Sequence, residues 1–127
     1  MRKFSIRISK CRFRINGFAQ KIGQDILISI WGGTRPHIGA IGMAIPRPSL
    51  KNSKRWSATS SVFTFIGHKE DIIVKKMSEK LASRLRRNVV VTAGVHWDGT
   101  TSREIKTIQD LTQRLSDQIL KRMEKIK

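Results

Sequence analysis

Residues 89–98 read Val89-Val-Val-Thr-Ala-Gly-Val-His-Trp-Asp98. Val89 to Val95 is apolar on both phases of strand alternation, the pattern of a central strand covered on two sides. Upstream, residues 69–87 carry Ile73, Met77, Leu81 and Leu85 at helical spacing. Glu70 and Asp71 stand at the start of that segment and Arg84, Arg86 and Arg87 at its end, matching the helix dipole at both ends. Before it, Ser57 to Ile66 is polar and then carries Val62, Phe63 and Phe65, a strand. A strand, a helix and a strand in this order form a crossover, whose right-handed form makes the two strands parallel. Downstream, Thr101-Ser-Arg-Glu104 fits a capping box. It opens a second helix with a stripe of Ile105, Ile108, Leu111, Leu115, Ile119, Met123 and Ile126, a core or partner face.

Toward the N-terminus three more strands are predicted. Residues 3–15 alternate Phe4, Ile6 and Ile8, then change phase to Cys11, Phe13 and Ile15. This reads as one strand with a bulge near Ser9-Lys10, its Arg and Lys residues suiting an edge or a solvent face. Asn16-Gly17 is a turn signal. Asp25 to Trp31 is a second strand, closed by Gly32-Gly33. His37 to Ile45 is a third, with Ala40, Gly42 and Ala44 on one face. Small residues in a row let a packed helix or a flat ligand approach the backbone. Pro46-Arg-Pro48 stops that strand, and 46–56 is a basic loop. The expected fold is α+β, a single domain over 1–127. It has a five-stranded mixed, mainly antiparallel sheet and two helices in the order β-β-β-β-α-β-α.

A chain of 127 residues with 39% hydrophobic composition is long enough for one folded core. The net charge of +17 is uneven. Up to Lys69 there are 13 basic residues against Asp25 alone, and from Glu70 onward 13 against 8. Such a field favours nucleic acid, phosphorylated cofactors or acidic protein surfaces, although a well-solvated surface gives the same count. The single Cys11 excludes an internal disulfide, and a small, partly buried thiol is expected there. No apolar run has the length of a membrane span, and the N-terminus lacks the apolar core of a signal peptide. A cytoplasmic protein is expected.

The three histidines fall at strand ends: His37 in Trp31-Gly-Gly-Thr-Arg-Pro-His37, His68 in Gly67-His-Lys-Glu-Asp71, and His96 in Gly94-Val-His-Trp-Asp98. Strands two and three paired as a hairpin, with four antiparallel to three and five parallel to four, would bring all three loops to one end of the sheet. His37, His68 and His96, with Asp71 or Asp98, are adequate ligands for a divalent metal, but their spacing matches no short metal signature. Gly67-His-Lys-Glu-Asp71 opens a helix, whose free N–H groups favour an anion, with Lys69 adding charge. Trp31, Trp56 and Trp97 could stack on a planar ring or simply pack. No Ser-His-Asp order or paired-carboxylate pattern is present.

Pro36-His-Ile-Gly39, Pro46-Arg-Pro-Ser49, Ser57-Ala-Thr59, Gly67-His-Lys-Glu70 and Ala93-Gly-Val-His-Trp97, in this order and spacing, resemble the LpdD-like prenylated-flavin chaperones. The resemblance runs from the second strand to the final helix. It implies a fold like that of small proteasome-assembly chaperones, which are commonly dimeric. It also implies a non-catalytic accessory subunit that holds prenylated FMN and helps deliver it to an apo-decarboxylase acting on hydroxyaryl acids. The cofactor-binding candidates are then Trp31, Arg35, His37, Ser57, Thr59, Gly67, Lys69 and Trp97. Lys69 and the helix start would take the flavin phosphate, and His37, His68 and His96 a metal or the ring. The heavily basic first strand has no counterpart in the family pattern. A small RNA-binding protein is the alternative reading, without an RRM or KH pattern to support it. A metal-dependent enzyme is a third, without a clear general base.

Overall fold

The structure, a computed structural model, describes residues 2–65 and 70–126. Its elements run β1 (Lys3–Lys10), β2 (Phe13–Ile22), β3 (Asp25–Gly33), β4 (Ala40–Pro48), β5 (Trp56–Thr64), α1 (Asp71–Leu85), β6 (Val89–His96) and α2 (Ser102–Glu124). The sheet has six strands, not five, in the order β1-β2-β3-β6-β4-β5. The extra strand arises at the phase change in 3–15, which is a hairpin and not a bulge. Cys11 takes a left-handed φ of 58°, and Ile8 pairs with Ile15 across the turn. Both arms keep their apolar phase on the core side because the chain reverses. Cys11 is consequently exposed at a turn tip, contrary to the expectation of a partly buried thiol.

Asn16-Gly17 lies within β2 and is not a turn. Gly17 faces α2 there: a Cβ would sit 3.1 Å from the Ile6 side chain and in ordinary contact, 3.5 Å, with Leu115. The turn comes later, at Gly23, with a φ of 59°.

The strand at 89–96 is central, as its apolar run predicts, but it lies between β3 and β4. Those two strands therefore do not form the expected hairpin. β6 pairs parallel with β3 (Ile28 opposite Val91) and antiparallel with β4 (Gly42 opposite Val91). β4 pairs antiparallel with β5, so β5 and β6 run the same way, two positions apart. Pairing of β4 with β6 stops at Ala44–Val89. Beyond it β4 has a neighbour on one side only, which is where Pro46 and Pro48 are tolerated.

Both helices pack on one face of the sheet, α1 over β4, β5 and β6 and α2 over β1 and β2. The face of Ala40, Gly42 and Ala44 receives α1. A Cβ on Gly42 would lie 2.7 Å from the carbonyl oxygen of Val74, so the helix is the occupant that the small residues admit. Ile15, Ile28, Ile30, Val91, Leu81, Leu115 and Ile119 fill the layer between sheet and helices. Among the described residues no helix covers the opposite face. It carries Leu27, Trp31, Val90 and Ile41, all half-buried, together with Met43, Ile45, Phe63 and Phe65, which are 44–64% exposed.

Candidate functional site

The pairing registers place the end of β3, the start of β4 and the ends of β5 and β6 at one end of the sheet. His37 and His96 therefore meet there, although by a different strand order from the one expected. The backbones are in direct contact. Thr34 N–H donates to the His96 carbonyl (2.9 Å), Gly39 N–H to that of Ala93 (2.8 Å), and Phe65 N–H to that of Gly39 (2.8 Å). A Cβ on Gly94 would fall 1.6 Å from the His37 carbonyl oxygen, and one on Gly33 (φ 95°) 1.8 Å from that of His96. Only glycine permits two chains to cross this closely.

Glu70 organises this end. It is the N-cap of α1, 5% exposed, and its Oε1 accepts from the Val95 N–H (3.2 Å) and meets His37 Nε2 (3.2 Å). Gly39 leaves room for the carboxylate, since a Cβ there would be 2.5 Å from Oε2. His37 Nδ1 lies 2.8 Å from the Arg35 carbonyl, an acceptor only, so Nδ1 carries a proton. Nε2 faces Oε1 at 3.2 Å. One carboxylate thus ties the start of α1 to β6 and to the 34–39 loop. In the sequence Glu70 reads only as an acid suited to a helix start; nothing local announces its burial.

His96 is exposed, and its Nε2 donates to Asp98 Oδ1 at 2.8 Å. Asp98 is held below the usual carboxylate range, first by this hydrogen bond and then by the charge of Arg35. Arg35 is exposed. Trp31 is half-buried on the helix-free face, opposite Gly94 in the parallel register. Trp97 is not beside it. It is 8% exposed and packs edge-on against Phe13, with centroids 5.0 Å apart, so it is core and offers no ring face to a ligand. Ser57 and Thr59 are also remote. They pair with Arg47 and Ile45 toward the other end of β5, and the Thr59 hydroxyl accepts from Arg47 Nε at 2.7 Å. Gly67, His68 and Lys69 lie outside the described residues.

The expected metal centre is not supported. Among the described residues no group of three His, Cys, Asp or Glu side chains could hold an ion. The physical reason is local pairing: both ring nitrogens of His37 face protein acceptors, and His96 is turned toward Asp98. Among the described residues no helix is long and apolar enough to cross a membrane.

Comparison with known proteins agrees with this layout. The chain is 28% identical over 108 residues to Protein LpdD of Lactiplantibacillus plantarum (strain ATCC BAA-793 / NCIMB 8826 / WCFS1), covering 85% of this chain and 76% of that protein. Its fold is similar to a chain in the crystal structure of a chaperone complex for yeast 20S proteasome assembly, with a TM-score of 0.55, 13% identity, and coverage of 94% of this chain and 96% of that one. At that identity the likeness concerns the fold alone. The sequence model of the prenylated flavin chaperone LpdD-like domain matches residues 9–124. That span runs from the β1–β2 hairpin to the last turn of α2 and takes in every strand end at the histidine site, so the chain belongs to the prenylated flavin chaperone LpdD-like family.

Proposed function

We propose that the chain is a non-catalytic cofactor chaperone that binds prenylated FMN and assists its delivery to a prenylated-FMN-dependent aromatic-acid decarboxylase. The observation that carries this reading is the family match over residues 9–124. The chemistry of the histidine end is compatible with such a ligand, which is planar, apolar over its ring and anionic at its phosphate. Trp31 stands on the helix-free face at that end. Arg35 supplies an exposed cation at the rim. Prenylated FMN brings its own redox and cycloaddition chemistry; the protein's part is to bind it, orient it and limit water. The His37–Glu70 pair holds the loop that carries Arg35 and has no substrate-activating role in this reading. Metal does not enter it. Lys69 and Gly67 keep their proposed place beside the phosphate on sequence grounds alone.

A homodimer belongs to the same proposal. Four large apolar side chains, each roughly half exposed, put on the order of 400 Å² of contiguous apolar surface in water, as much as an ordinary monomer shows in its largest patch. A second copy of the chain is the occupant assigned to it. The patch is off-centre, on β4 and β5.

The test is co-expression with a flavin prenyltransferase and anaerobic purification, reading bound flavin by absorbance and mass. About one flavin per chain is expected. Arg35→Ala removes a charge-assisted hydrogen bond worth roughly 1.5–3 kcal/mol, so at least about tenfold weaker retention is expected. Wild-type protein that emerges without flavin, from cells in which the prenyltransferase is active, overturns the reading.

A further inference from the structure

The two ends of the sheet differ in charge. At the histidine end, counting the described residues only, segments 10–14, 33–39, 70–72 and 96–104 hold five Lys or Arg against four carboxylates. At the opposite end, segments 2–3, 21–25, 47–56 and 84–88 hold ten against Asp25, and the end of α2, whose Arg122 donates to the Ser5 carbonyl, adds Lys121, Arg122 and Lys125 against Glu124. Asp25 already accepts from Asn88.

The segments at the basic end are joined into one strip. The Arg2 carbonyl accepts from the Lys21 N–H at 2.7 Å, which places Arg2, Lys3 and Lys21 together at the start of β1 and the end of β2. Gln24, in the next turn, accepts from the guanidinium of Arg87 at the end of α1. Arg86, beside it, lies over the ring of Trp56 with 4.8 Å to the centroid, at the foot of the β4–β5 loop. That loop carries Lys51, Lys54 and Arg55, all exposed. The strip therefore crosses the whole six-stranded sheet. At about 4.8 Å between neighbouring strands it is roughly 24 Å long.

We propose that this basic end binds a nucleic-acid backbone without reading its sequence. The length suits a phosphate track. One strand of a duplex offers a charge about every 3.4 Å, so the strip spans roughly seven phosphates. Its composition is that of a phosphate-tracking surface and not of a protein interface, whose centre is depleted of charge and of lysine in particular. The exposed apolar residues at this end, Ile22 and Leu50, stand at separate turn tips and form no patch. Arg86 lies over the ring of Trp56, which is 37% exposed, so the Trp56–Arg86 pair sits within the strip. The site is independent of the flavin proposal and lies at the other end of the strands.

The experiment is fluorescence anisotropy of labelled 20-nucleotide probes of random sequence, duplex DNA in one arm and single-stranded RNA in the other, over a salt series. Two triple variants remove the same charge from the two ends: Lys51→Gln, Lys54→Gln, Arg55→Gln at the basic end, and Lys10→Gln, Arg14→Gln, Arg103→Gln at the histidine end. Both sets are exposed, and circular dichroism and a thermal melt confirm that each variant folds. Wild-type binding should weaken steeply with salt. The basic-end variant should bind at least tenfold more weakly, with the duplex salt slope reduced by about 2–3, one phosphate contact contributing about 0.9. The histidine-end variant should stay within about threefold of wild type. The arm that binds more tightly identifies the nucleic acid. Equal losses in the two variants would show a diffuse charge effect and overturn the proposal. So would tighter binding to a 20-residue polyglutamate than to either probe, which would assign the end to an acidic protein.

Discussion

Glu70 carries one carboxylate oxygen into contact with two other parts of the chain, the Val95 backbone and the His37 ring. Truncation leaves a buried N–H and an imidazole nitrogen without that acceptor. Glu70→Ala should therefore cost about 1–3 kcal/mol of stability, read as a lower urea midpoint with an unchanged slope. A loss below about 0.5 kcal/mol would mean that the carboxylate holds nothing together. At this scale the sequence was informative about residue type and not about environment. Three tryptophans near strand ends were equivalent as letters. The structure turns Trp97, at the histidine end, into the core against Phe13, sets Trp56 under Arg86 at the other end, and leaves Trp31 half-buried on the helix-free face at the histidine end. Ser57 and Thr59 shared a motif with the site residues in one dimension but stand well along β5 from its histidine end at Thr64, roughly 24 Å and 17 Å respectively.

Among the elements, α2 was the most legible, because its signals are local. Thr101 Oγ1 accepts from the Glu104 N–H and the Glu104 carboxylate accepts from the Thr101 N–H, both at 3.1 Å, completing the capping box read from four residues. Arg12, from the β1–β2 turn, adds a 3.1 Å bond to Glu104 that no local pattern contains. That bond, with the Thr101 N–H, lowers the Glu104 carboxyl below its ordinary 4.5. A depressed folded-state value stabilises above the unfolded value and is lost as pH falls through the folded one. The melting temperatures of wild type and Glu104→Gln should then differ most at neutral pH and converge as pH drops below 4.5. A gap that persists unchanged in acid would count against the ionised form as the source. The hairpin at Cys11 was misread as a bulge because both produce a change of phase. The two differ only in which partner the second arm meets, a non-local fact.

In the whole molecule two helices cover one face of a six-stranded sheet, and the other face keeps an apolar patch. The apolar character of Val89 to Val95 on both phases is the sequence's own mark of that second face. Val90 and Thr92 remain partly exposed in the single chain. If a second copy covers them, sedimentation should give twice the 14.5 kDa chain mass. Phe63→Glu should reduce this to a monomer without loss of helicity, since a buried unpaired carboxylate costs several kcal/mol across an interface while the exposed Phe63 adds little to the chain's own core. A dimer that survives the substitution would place the interface elsewhere.

By itself the sequence determined the α+β class, the presence of both helices and the capped start of the second, the edge character of the basic first strand and the central place of the strand at 89–95. These follow from periodicity, caps and charge, which act over a few residues. The tertiary structure alone decided the insertion of β6 between β3 and β4, the burial of Glu70 against His37, and the separation of a mixed-charge end from a basic one. Each depends on pairing between segments tens of residues apart, and backbone hydrogen bonding is indifferent to which strand supplies the partner. The His37 and His96 loops met even though the expected hairpin was absent. Strand direction, which the connections do constrain, sets the end of the sheet that each loop occupies, whatever the lateral order of the strands.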